Sequence, residues 1–339
     1  MTYQATIVIP ILNEINFIKD CINSIKDNNS NFNCYEVFLI DGGSTDGTKA
    51  LLADLASKYT NIQTLENPKK YAASAMNIGI KKSTTDLIIR LDAHAIYLDS
   101  YIQTAINILK SSNKSVANIG GSIITKQSSN SNVSFLISFV LSSPFGVGNS
   151  VFRTKKLLVE TEVDTVPFGC FKKKAIIEVG LYNEEEIRGE DLDLNTRLIK
   201  NGYKVILSPQ LRSIYYSREN YFDFIKQAFT NGKVVLSKRR GTNSYHKVRH
   251  YIPLLFVSFQ LLLILQLFLF QINLLSIVLI IIFSLYFFLA YFFSIKLLNT
   301  TQNIFNFIFA TLYFYSLHTF YGLGSLYSIF KNFLQINNK

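Results

Sequence analysis

Apolar and polar positions alternate in two distinct ways along roughly the first two thirds of the chain. Short apolar runs of strand length each lead into a polar residue, and between them apolar side chains recur at the spacing of one helix face. The predicted strands are Ala5–Ile9, Glu36–Ile40 and Asp86–Leu91. The predicted helices are Glu14–Ile25, Thr48–Tyr59 (with Thr45 or Asp46 as its cap), Tyr71–Ser83 and Ser100–Leu109. This order predicts an α/β domain, with a mostly parallel sheet and helices on both faces.

A different pattern begins at Tyr251, where the chain becomes almost wholly apolar. Residues 252–271 and 273–293 are uncharged runs, each about one bilayer crossing long. A third apolar run, residues 304–330, is interrupted by polar residues and glycine, and it is either a third span or an interfacial or re-entrant helix. Helices in a water-soluble core rarely stay uncharged for so long, so we predict two to three transmembrane helices.

The charges are distributed unevenly along the chain. There are 34 Lys and Arg against 23 Asp and Glu, a formal net charge of +11, yet no acid follows Asp223. Residues 224–250 hold seven basic residues directly before the apolar runs. Such a segment is typical of a juxtamembrane collar on the cytosolic side rather than of a nucleic-acid-binding surface. We therefore expect a multi-pass protein of the cell membrane, with a cytosolic domain over 1–223, the collar over 224–250, a membrane region over 251–330 and a tail over 331–339.

The composition excludes two further classes of protein. With 49% hydrophobic residues, the chain has too much apolar material for a disordered protein. Its 3 cysteines form no Cys-x-x-Cys pair, which fits a reducing cytosol and argues against a disulfide scaffold or a zinc cluster. The run Ala5–Ile9 follows no basic segment and precedes no small-residue cleavage site, so we interpret it as a strand rather than as part of a signal peptide.

Candidate chemistry lies at the ends of the predicted strands, where parallel α/β sheets bind their ligands. The three polar segments are Pro10–Glu14, Asp41–Thr48 and Asp92–His94. Taken alone, the second segment could be a tight turn with a helix cap, and the third could be a pair held by packing. Because residues i and i+2 of an extended chain point to the same side, Asp92 and His94 are also candidate ligands for Mn²⁺ or Mg²⁺. The segments match neither the phosphate-loop nor the dinucleotide-binding glycine pattern.

A downstream cluster is rich in carboxylates. Glu190, Asp191 and Asp193 lie at the start of a predicted helix, shortly after three glutamates at 184–186. Acids favour a helix N-terminus, which explains one or two of these residues. Crowded carboxylates also raise one another's pKa, and this makes one of them a candidate general base.

Together these segments resemble glycosyltransferase family 2, the inverting enzymes of the GT-A fold. The chain is more similar still to the ExoA-like succinoglycan biosynthesis glycosyltransferases of that family. The further segments that carry this resemblance are Arg90–Ala95, Gly146–Asn149, Val163–Gly169, Leu207–Pro209 and Gln227–Lys233. The resemblance covers residues 4 to about 255 with the motifs in order, and it implies a Rossmann-like GT-A domain followed by transmembrane helices.

The resemblance also implies roles for individual residues. The residues assigned to the nucleotide-sugar site are Pro10, Asn13, Glu14, Asp41, Ser44 and Asp92. Asp41 would contact the uracil of a UDP-sugar. Asp92 and His94 would take the place of the usual Asp-x-Asp metal motif and hold Mn²⁺ or Mg²⁺. Asp191, with Glu190 beside it, matches the catalytic base that takes the proton from the acceptor hydroxyl.

On the acceptor side, the resemblance assigns Phe168, Gly169, Gln227 and Lys233. Phe168 either stacks on a sugar face or belongs to a packed turn around Pro167. Gln227 and Lys233 would meet the diphosphate or the membrane-facing acceptor. The chain has 0 Trp, so it lacks the Gln-x-x-Arg-Trp motif of processive polysaccharide synthases, and this favours addition of a single sugar.

The expected protein is an inverting, metal-dependent glycosyltransferase. It would move one sugar from a UDP-sugar, with UDP-glucose as the first candidate, to a polyprenyl-diphosphate-linked saccharide in exopolysaccharide or capsule biosynthesis. Its expected partners are that donor, that acceptor and membrane lipids, and no nucleic acid. Two alternatives stay open: a transferase that loads polyprenyl phosphate itself, and a membrane protein that binds a nucleotide-sugar without catalysis. A binding protein needs no base, so Glu190 and Asp191 favour an enzyme.

Overall fold

The computed structural model describes residues 3–27, 31–148, 150–154, 157–186, 189–235, 250–269, 272–297 and 304–337. The chain divides into two compact units, Met1–Ile124 with Val151–Tyr215 and Thr125–Ser150 with Tyr216–Lys339. The predicted partition into catalytic domain, collar, membrane region and tail stays a prediction. Residues 236–249, which hold five of the seven basic residues of the collar, lie outside the described residues, as does Asn149.

The elements follow one another in an order that mixes strands and helices up to residue 216 and is helical afterwards. The strands are β1 (Ala5–Ile11), β2 (Tyr35–Asp41), β3 (Ile62–Glu66), β4 (Leu87–Arg90), β5 (Ala95–Tyr97), β6 (Val116–Lys126), β7 (Thr161–Glu162), β8 (Cys170–Lys172) and β9 (Lys204–Tyr216). The helices up to that point are α1 (Ile18–Asp27), α2 (Thr48–Lys58), α3 (Ala72–Lys82), α4 (Tyr101–Ser111), α5 (Asn132–Ser142), α6 (Pro144–Val147), α7 (Val151–Thr154), α8 (Lys173–Glu178) and α9 (Glu190–Lys200). The later helices are α10 (Tyr221–Val235), α11 (Ile252–Leu269), α12 (Leu274–Ser294) and α13 (Ile304–Asn337).

One mixed sheet runs through the first unit. In the part of the chain that the structure describes, its strands lie in the order β3-β2-β1-β4-β8-β6-β9-β5, and β7 pairs with β9. β3, β2, β1 and β4 are parallel, whereas β8 runs antiparallel to β4 and β6, and β9 runs antiparallel to β5 and β7. The α/β prediction is confirmed, and the parallel arrangement is limited to the first four strands of this order. β4 joins the two halves of the sheet, and Asp92 follows it closely.

Apolar side chains cover both faces of the parallel strands. In β1, Ile7 and Ile9 pack in the same core cluster as Ile22 of α1, whereas Val8 packs in the other cluster with Met76 of α3. Successive residues of a strand point to opposite faces, so a strand that is apolar at every position is buried on both. The predicted placement of helices on both faces of the sheet is therefore confirmed.

Two predicted helix starts were wrong. α1 begins at Ile18 rather than at Glu14, because the residues before it form a turn that leads out of β1. α2 has Gly47 as its N-cap, at a φ of 97°, rather than Thr45 or Asp46. Asp46 instead accepts a hydrogen bond from the first backbone N–H of the helix at 3.0 Å.

The second unit is helical, with its own apolar core. Among the described helices, α11 and α12 are the two that are long enough and apolar enough to cross a membrane. Other parts of the protein bury only 22% of the apolar stretch in α11 and 17% of that in α12. The predicted third run lies in α13, which packs along α10 and against α11 and does not meet the same criteria. α10 and α13 approach closely, since a Cβ at Gly232 would overlap the carbonyl oxygen of Tyr321.

Candidate active site

The loops that follow β1 and β2 hold each other through hydrogen bonds between side chains and backbone. Ser44 Oγ accepts a hydrogen bond from the backbone N–H of Asn13 at 2.9 Å, and Asn13 Oδ1 accepts one from the backbone N–H of Thr45 at 2.9 Å. Thr48 Oγ1 accepts one from the backbone N–H of Glu14 at 3.0 Å. Asn13 has a φ of 57°, a region that asparagine tolerates better than most residues. Because β1 and β2 pair in parallel, the predicted segments Pro10–Glu14 and Asp41–Thr48 lie side by side and are joined by these hydrogen bonds.

Asp41 is buried, and its carboxylate is engaged within its own loop. It accepts hydrogen bonds from the backbone N–H groups of Gly43 and Ser44, both at 3.1 Å, and from the Ser44 hydroxyl. Gly43 has a φ of 88°, which glycine adopts without steric cost. The Asp41 carboxylate therefore shapes the loop, and its predicted contact with a nucleobase stays a prediction.

A pocket of about 320 Å³ opens at the carboxyl ends of the parallel strands. Four of the predicted site residues line it, namely Pro10, Glu14, Asp92 and His94. The other lining residues are Ile11, Leu12, Asn67, Lys70, Tyr71, Ala72, Arg90 and Ala93. Its volume lies at the lower end of the range for small-molecule sites. The structure thus brings the first and third predicted segments together around one cavity.

The sequence analysis missed a fourth strand end at this pocket. Asn67, Lys70 and Tyr71 follow β3, and the Asn67 side-chain amide donates to the Tyr71 carbonyl oxygen at 2.9 Å. Lys70 has a φ of 66°, an uncommon backbone conformation for a lysine. The signal was a polar segment directly before the predicted helix at Tyr71. It was overlooked because β3 is short and only two of its five residues, Ile62 and Leu65, are apolar.

The His94 ring is oriented by Glu14. His94 Nδ1 lies 2.9 Å from Glu14 Oε1. An ionised carboxylate only accepts hydrogen bonds, so Nδ1–H donates, and the neutral imidazole carries its lone pair on Nε2. The ring also packs edge-on against Tyr215, with 5.6 Å between the ring centroids. Glu14, which was predicted to line the nucleotide pocket, therefore also supports the candidate metal ligand.

Asp92 and His94 fit a divalent cation that is shared with a ligand. Both line the pocket, and the Tyr97 hydroxyl accepts a hydrogen bond from the Asp92 backbone N–H at 2.8 Å. Over the described ranges, no group of three or more His, Cys, Asp or Glu side chains could hold a metal ion. An ion at Asp92 and His94 would therefore take further oxygen ligands from a diphosphate or from water, as Mg²⁺ commonly does. One carboxylate and one imidazole suit Mn²⁺ as well.

The Arg90 guanidinium joins Asp92 to the downstream acids. Its Nη2 atom lies 3.5 Å from Asp92 Oδ1 and 2.8 Å from Glu190 Oε1, and its Nη1 atom contacts Asp191 Oδ1. Only 8% of the Arg90 side chain is exposed. β4 supplies Arg90 and the first turn of α9 supplies Glu190 and Asp191, so residues 101 positions apart meet at one edge of the sheet. The predicted metal ligand and the predicted base thus contact the same cation.

The surroundings of Asp191 displace the pKa of its carboxyl group. Burial, together with the negative charges of Glu190 and Asp92, raises the pKa of Asp191 to about 7 against the opposing effect of Arg90. The Tyr182 hydroxyl also donates to Asp191 Oδ1, at 3.4 Å. A general base works best when its pKa lies near the working pH, so this environment suits a group that must accept a proton.

Two other acids of the predicted carboxylate cluster are paired elsewhere. Asp193 is buried and accepts hydrogen bonds from Arg197 Nε at 3.0 Å and Nη2 at 2.7 Å. Glu184 accepts hydrogen bonds from Lys69 at 2.6 Å and from Asn77 at 2.8 Å. Residues two positions apart on a helix project about 200° apart around its axis, so the helix itself separates Asp193 from Asp191. The first two residues of α9, Glu190 and Asp191, contact Arg90.

The predicted acceptor-side residues lie in both units. Phe168 and Gly169 belong to the first unit, and Gln227 and Lys233 lie on α10 in the second. Phe168 is only 4% exposed, and its ring packs edge-on against Tyr97 with 5.3 Å between centroids. Its ring is part of the core, so the structure has the packed turn rather than a ring exposed for stacking on a sugar. The acceptor roles of the other three residues stay predictions.

Comparison with known families agrees with this fold. Residues 6–172 match the family described as Glycosyl transferase family 2, and residues 93–295 match Glycosyl transferase family group 2. The chain belongs to glycosyl transferase family 2. It is therefore a glycosyltransferase, and the alternative of a non-catalytic binding protein is set aside.

Two relatives are similar over most of their length. The dolichyl N-acetyl-alpha-D-glucosaminyl phosphate 3-beta-D-2,3-diacetamido-2,3-dideoxy-beta-D-glucuronosyltransferase of Methanococcus voltae is 32% identical over 234 residues, which are 67% of this chain and 71% of that protein. The succinoglycan biosynthesis protein ExoA of Rhizobium meliloti (strain 1021) is 29% identical over 237 residues, 68% of each chain. The predicted resemblance to ExoA-like glycosyltransferases is confirmed.

A solved structure shares the fold. The mannosyltransferase PcManGT from Pyrobaculum calidifontis, in complex with GDP-Man and Mn²⁺, has a TM-score of 0.62 and 14% identity, and covers 96% of this chain and 88% of its own. At this identity the likeness concerns the fold alone. The predicted fold class, a GT-A domain with apolar C-terminal helices, is confirmed.

Proposed function

We propose that the chain transfers one sugar from a UDP-sugar to a polyprenyl-diphosphate-linked saccharide, with inversion, at the cytosolic face of the cell membrane. The observation that carries this proposal is the shared cation: Asp191 as base and Asp92 as metal ligand both contact the Arg90 guanidinium, which lines the pocket. A base must lie close to the activated donor if it is to deprotonate the acceptor hydroxyl during attack.

The proposed reaction is a single displacement. The acceptor oxygen forms a bond to the anomeric carbon while its proton passes to the Asp191 carboxylate. The bond from that carbon to the diphosphate oxygen breaks, and its electron pair leaves with UDP. Because attack and departure take place on opposite faces, the configuration inverts and no nucleophilic side chain is needed. The raised pKa of Asp191, about 7, suits this role.

The charges around the pocket support dependence on a divalent cation. Among the described residues, four carboxylates line the pocket or contact Arg90, namely Glu14, Asp92, Glu190 and Asp191, against two cations, Arg90 and Lys70. A diphosphate would add further negative charge to a site that already has an excess. Asp92 and His94 are the residues that would hold Mn²⁺ or Mg²⁺. Bound there, the ion would supply positive charge to offset the charge that develops on the leaving diphosphate.

The proposed acceptor follows from the apolar helices and from the relatives. α11 and α12 expose apolar faces that are unfavourable in water, so we place these two helices in the membrane and propose that the catalytic pocket lies in the cytosol. The M. voltae relative is named for a dolichyl-linked sugar phosphate, and the R. meliloti relative for succinoglycan biosynthesis. We therefore propose a polyprenyl-linked saccharide in exopolysaccharide or capsule assembly.

The test is a transfer assay with membranes that contain the full chain. Radiolabelled UDP-glucose, other UDP-sugars and GDP-mannose are supplied with polyprenyl phosphate, a polyprenyl-phosphate sugar or a polyprenyl-diphosphate sugar, and the lipid is extracted. We expect label in the lipid fraction with a UDP-sugar and the diphosphate-linked saccharide, and loss of transfer with EDTA. Transfer to polyprenyl phosphate alone would favour the loading enzyme, and transfer that is insensitive to EDTA would contradict the metal site.

A further inference from the structure

Arg90 has more acidic partners than a purely structural ion pair needs. Its guanidinium is almost fully buried and meets three carboxylates, Asp92 from the end of its own strand and Glu190 and Asp191 from α9. Within the described ranges, one cation in contact with three acids leaves net negative charge around a guanidinium that is largely withdrawn from water, which is costly for stability. Stability alone therefore does not account for this arrangement.

Arg197 provides an internal comparison on the same helix. It pairs one to one with the buried Asp193, and its Nη1 atom donates to the Val179 carbonyl oxygen at 2.5 Å. Neither Arg197 nor Asp193 is among the residues that line the pocket, whereas Arg90 is. Arg197 thus has the balanced contacts of a structural ion pair, and Arg90 differs from it in both charge balance and location.

The shape of the guanidinium matters for these contacts. Nη1 is directed to Asp191, and Nη2 is directed to Glu190 and Asp92. Because the group is planar and rigid, its two arms fix the first turn of α9 relative to the end of β4. A lysine ammonium keeps the charge but is a single point donor, so it cannot reproduce this geometry.

We propose that Arg90 is a positioning residue for the catalytic base. By holding Glu190 and Asp191 through separate arms of its guanidinium, it fixes the Asp191 carboxylate against a group that lines the pocket and also contacts Asp92. This inference rests on the proposed function, since it assigns Arg90 to the transfer step that Asp191 serves.

The test is Arg90→Lys in the full chain, assayed for transfer in membranes. A misplaced catalytic group commonly costs about 100-fold in rate. We expect kcat to fall by at least about that factor, with the donor KM, UDP binding and the amount of folded protein near wild type. Wild-type kcat in this variant would overturn the proposal. A raised donor KM with unchanged kcat would also overturn it, because Arg90 would then serve donor binding.

Arg197→Lys is the matched control, since it makes the same change in the structural pair of the same helix. We expect wild-type kcat per folded molecule from it. If Arg90→Lys does not give folded protein, Arg90→Ala is assayed at increasing concentrations of ethylguanidinium instead. Because Arg90 lines the pocket, truncation of its side chain leaves a cavity that this small cation can enter. We expect ethylguanidinium to restore part of the turnover lost in Arg90→Ala and to leave the turnover of Arg197→Ala unchanged. No recovery in Arg90→Ala protein that still binds UDP would overturn the proposal.

The inference and the proposed function fail in different ways. If the wild type transfers no sugar, the proposed function fails and the inference falls with it. If the wild type transfers sugar, Asp191→Asn does not, and Arg90→Lys matches the wild type, then only the inference fails.

Discussion

Asp191 and Asp193 lie two residues apart on the first turn of α9, yet their surroundings differ. Asp193 is buried with Arg197 as its own partner, and the pair carries no net charge. Asp191 shares Arg90, which lines the pocket, with two other carboxylates. A helix directs these two side chains to different sides, so Asp193 is buried while Asp191 contacts Arg90.

The difference shows how the local charge balance distinguishes a carboxylate that stabilises the fold from one that is a candidate catalytic group. A buried carboxylate with a dedicated cation forms a neutral pair. For Asp191, which shares its cation, burial and the negative charges of its neighbours raise the pKa. Sequence spacing alone does not reveal which of the two environments an acid occupies.

The largest expected effect tests Asp191, the candidate catalytic base, directly. Asp191→Asn keeps the size of the side chain but removes its capacity to take a proton. General-base catalysis contributes about 10²–10⁴-fold, so we expect kcat for transfer to fall by that range while UDP binding is retained. Initial rates of label transfer into extracted lipid, with UDP binding measured in parallel, provide the check. An active variant would contradict the base assignment.

The next effect concerns the third carboxylate on Arg90. Asp92→Ala removes the candidate metal ligand, and we expect UDP affinity in the presence of Mn²⁺ to fall at least about tenfold. Binding of UDP is measured during a titration with Mn²⁺. Asp99→Ala is the control, because Asp99 is half-exposed and pairs with Arg212. An Mn²⁺ dependence like that of the wild type would argue against the metal site.

Substitution of Asp193, the acid of the structural ion pair, should affect stability rather than catalysis. Asp193→Asn leaves Arg197 without its partner, and breaking a buried ion pair typically costs about 3 kcal/mol or more. We expect a lower free energy of unfolding but unchanged kcat per folded molecule. Thermal unfolding in detergent and transfer rates normalised to folded protein measure the two quantities. A loss of kcat comparable to that of Asp191→Asn would erase the distinction between the two acids.

The smallest expected effect is on pH dependence. Asp191 must be ionised to act as a base, so kcat should rise as the pH increases through about 7, the value to which its pKa is raised. Glu190 raises that pKa, so Glu190→Gln should lower it and move the rise in kcat to lower pH. Profiles of kcat against pH for wild type, Glu190→Gln and the control Glu184→Gln measure this. A rise that does not move, or that moves to higher pH, would contradict the assigned coupling.

Local pattern predicted three of the four parallel strands, β1, β2 and β4, because these are apolar runs buried on both faces. The antiparallel half gave a much weaker signal. β8 is only three residues long, Cys170–Lys172, and it pairs with β4 and β6, which lie far from it along the chain. Such a short strand is defined by its non-local partners rather than by its own periodicity.

The candidate site was predictable to the extent that it consists of segments at strand ends. Pro10, Glu14, Asp92 and His94 were all predicted and all line the pocket. Lys70 was missed, because β3 is short and only partly apolar. The pairing of Glu14 with His94 and of Arg90 with the acids of α9 gave no sequence signal, since neither pair has a regular spacing along the chain.

By itself, the sequence determined the α/β arrangement, the apolar helices that follow it and the segments that carry polar chemistry. These features depend on periodicity and order along the chain, and both can be read without coordinates. Only the tertiary structure decided which acid is neutralised and which is left competing for a cation. That outcome depends on the first turn of α9 meeting the carboxyl end of β4, because Coulomb interactions follow distance in space rather than separation in sequence.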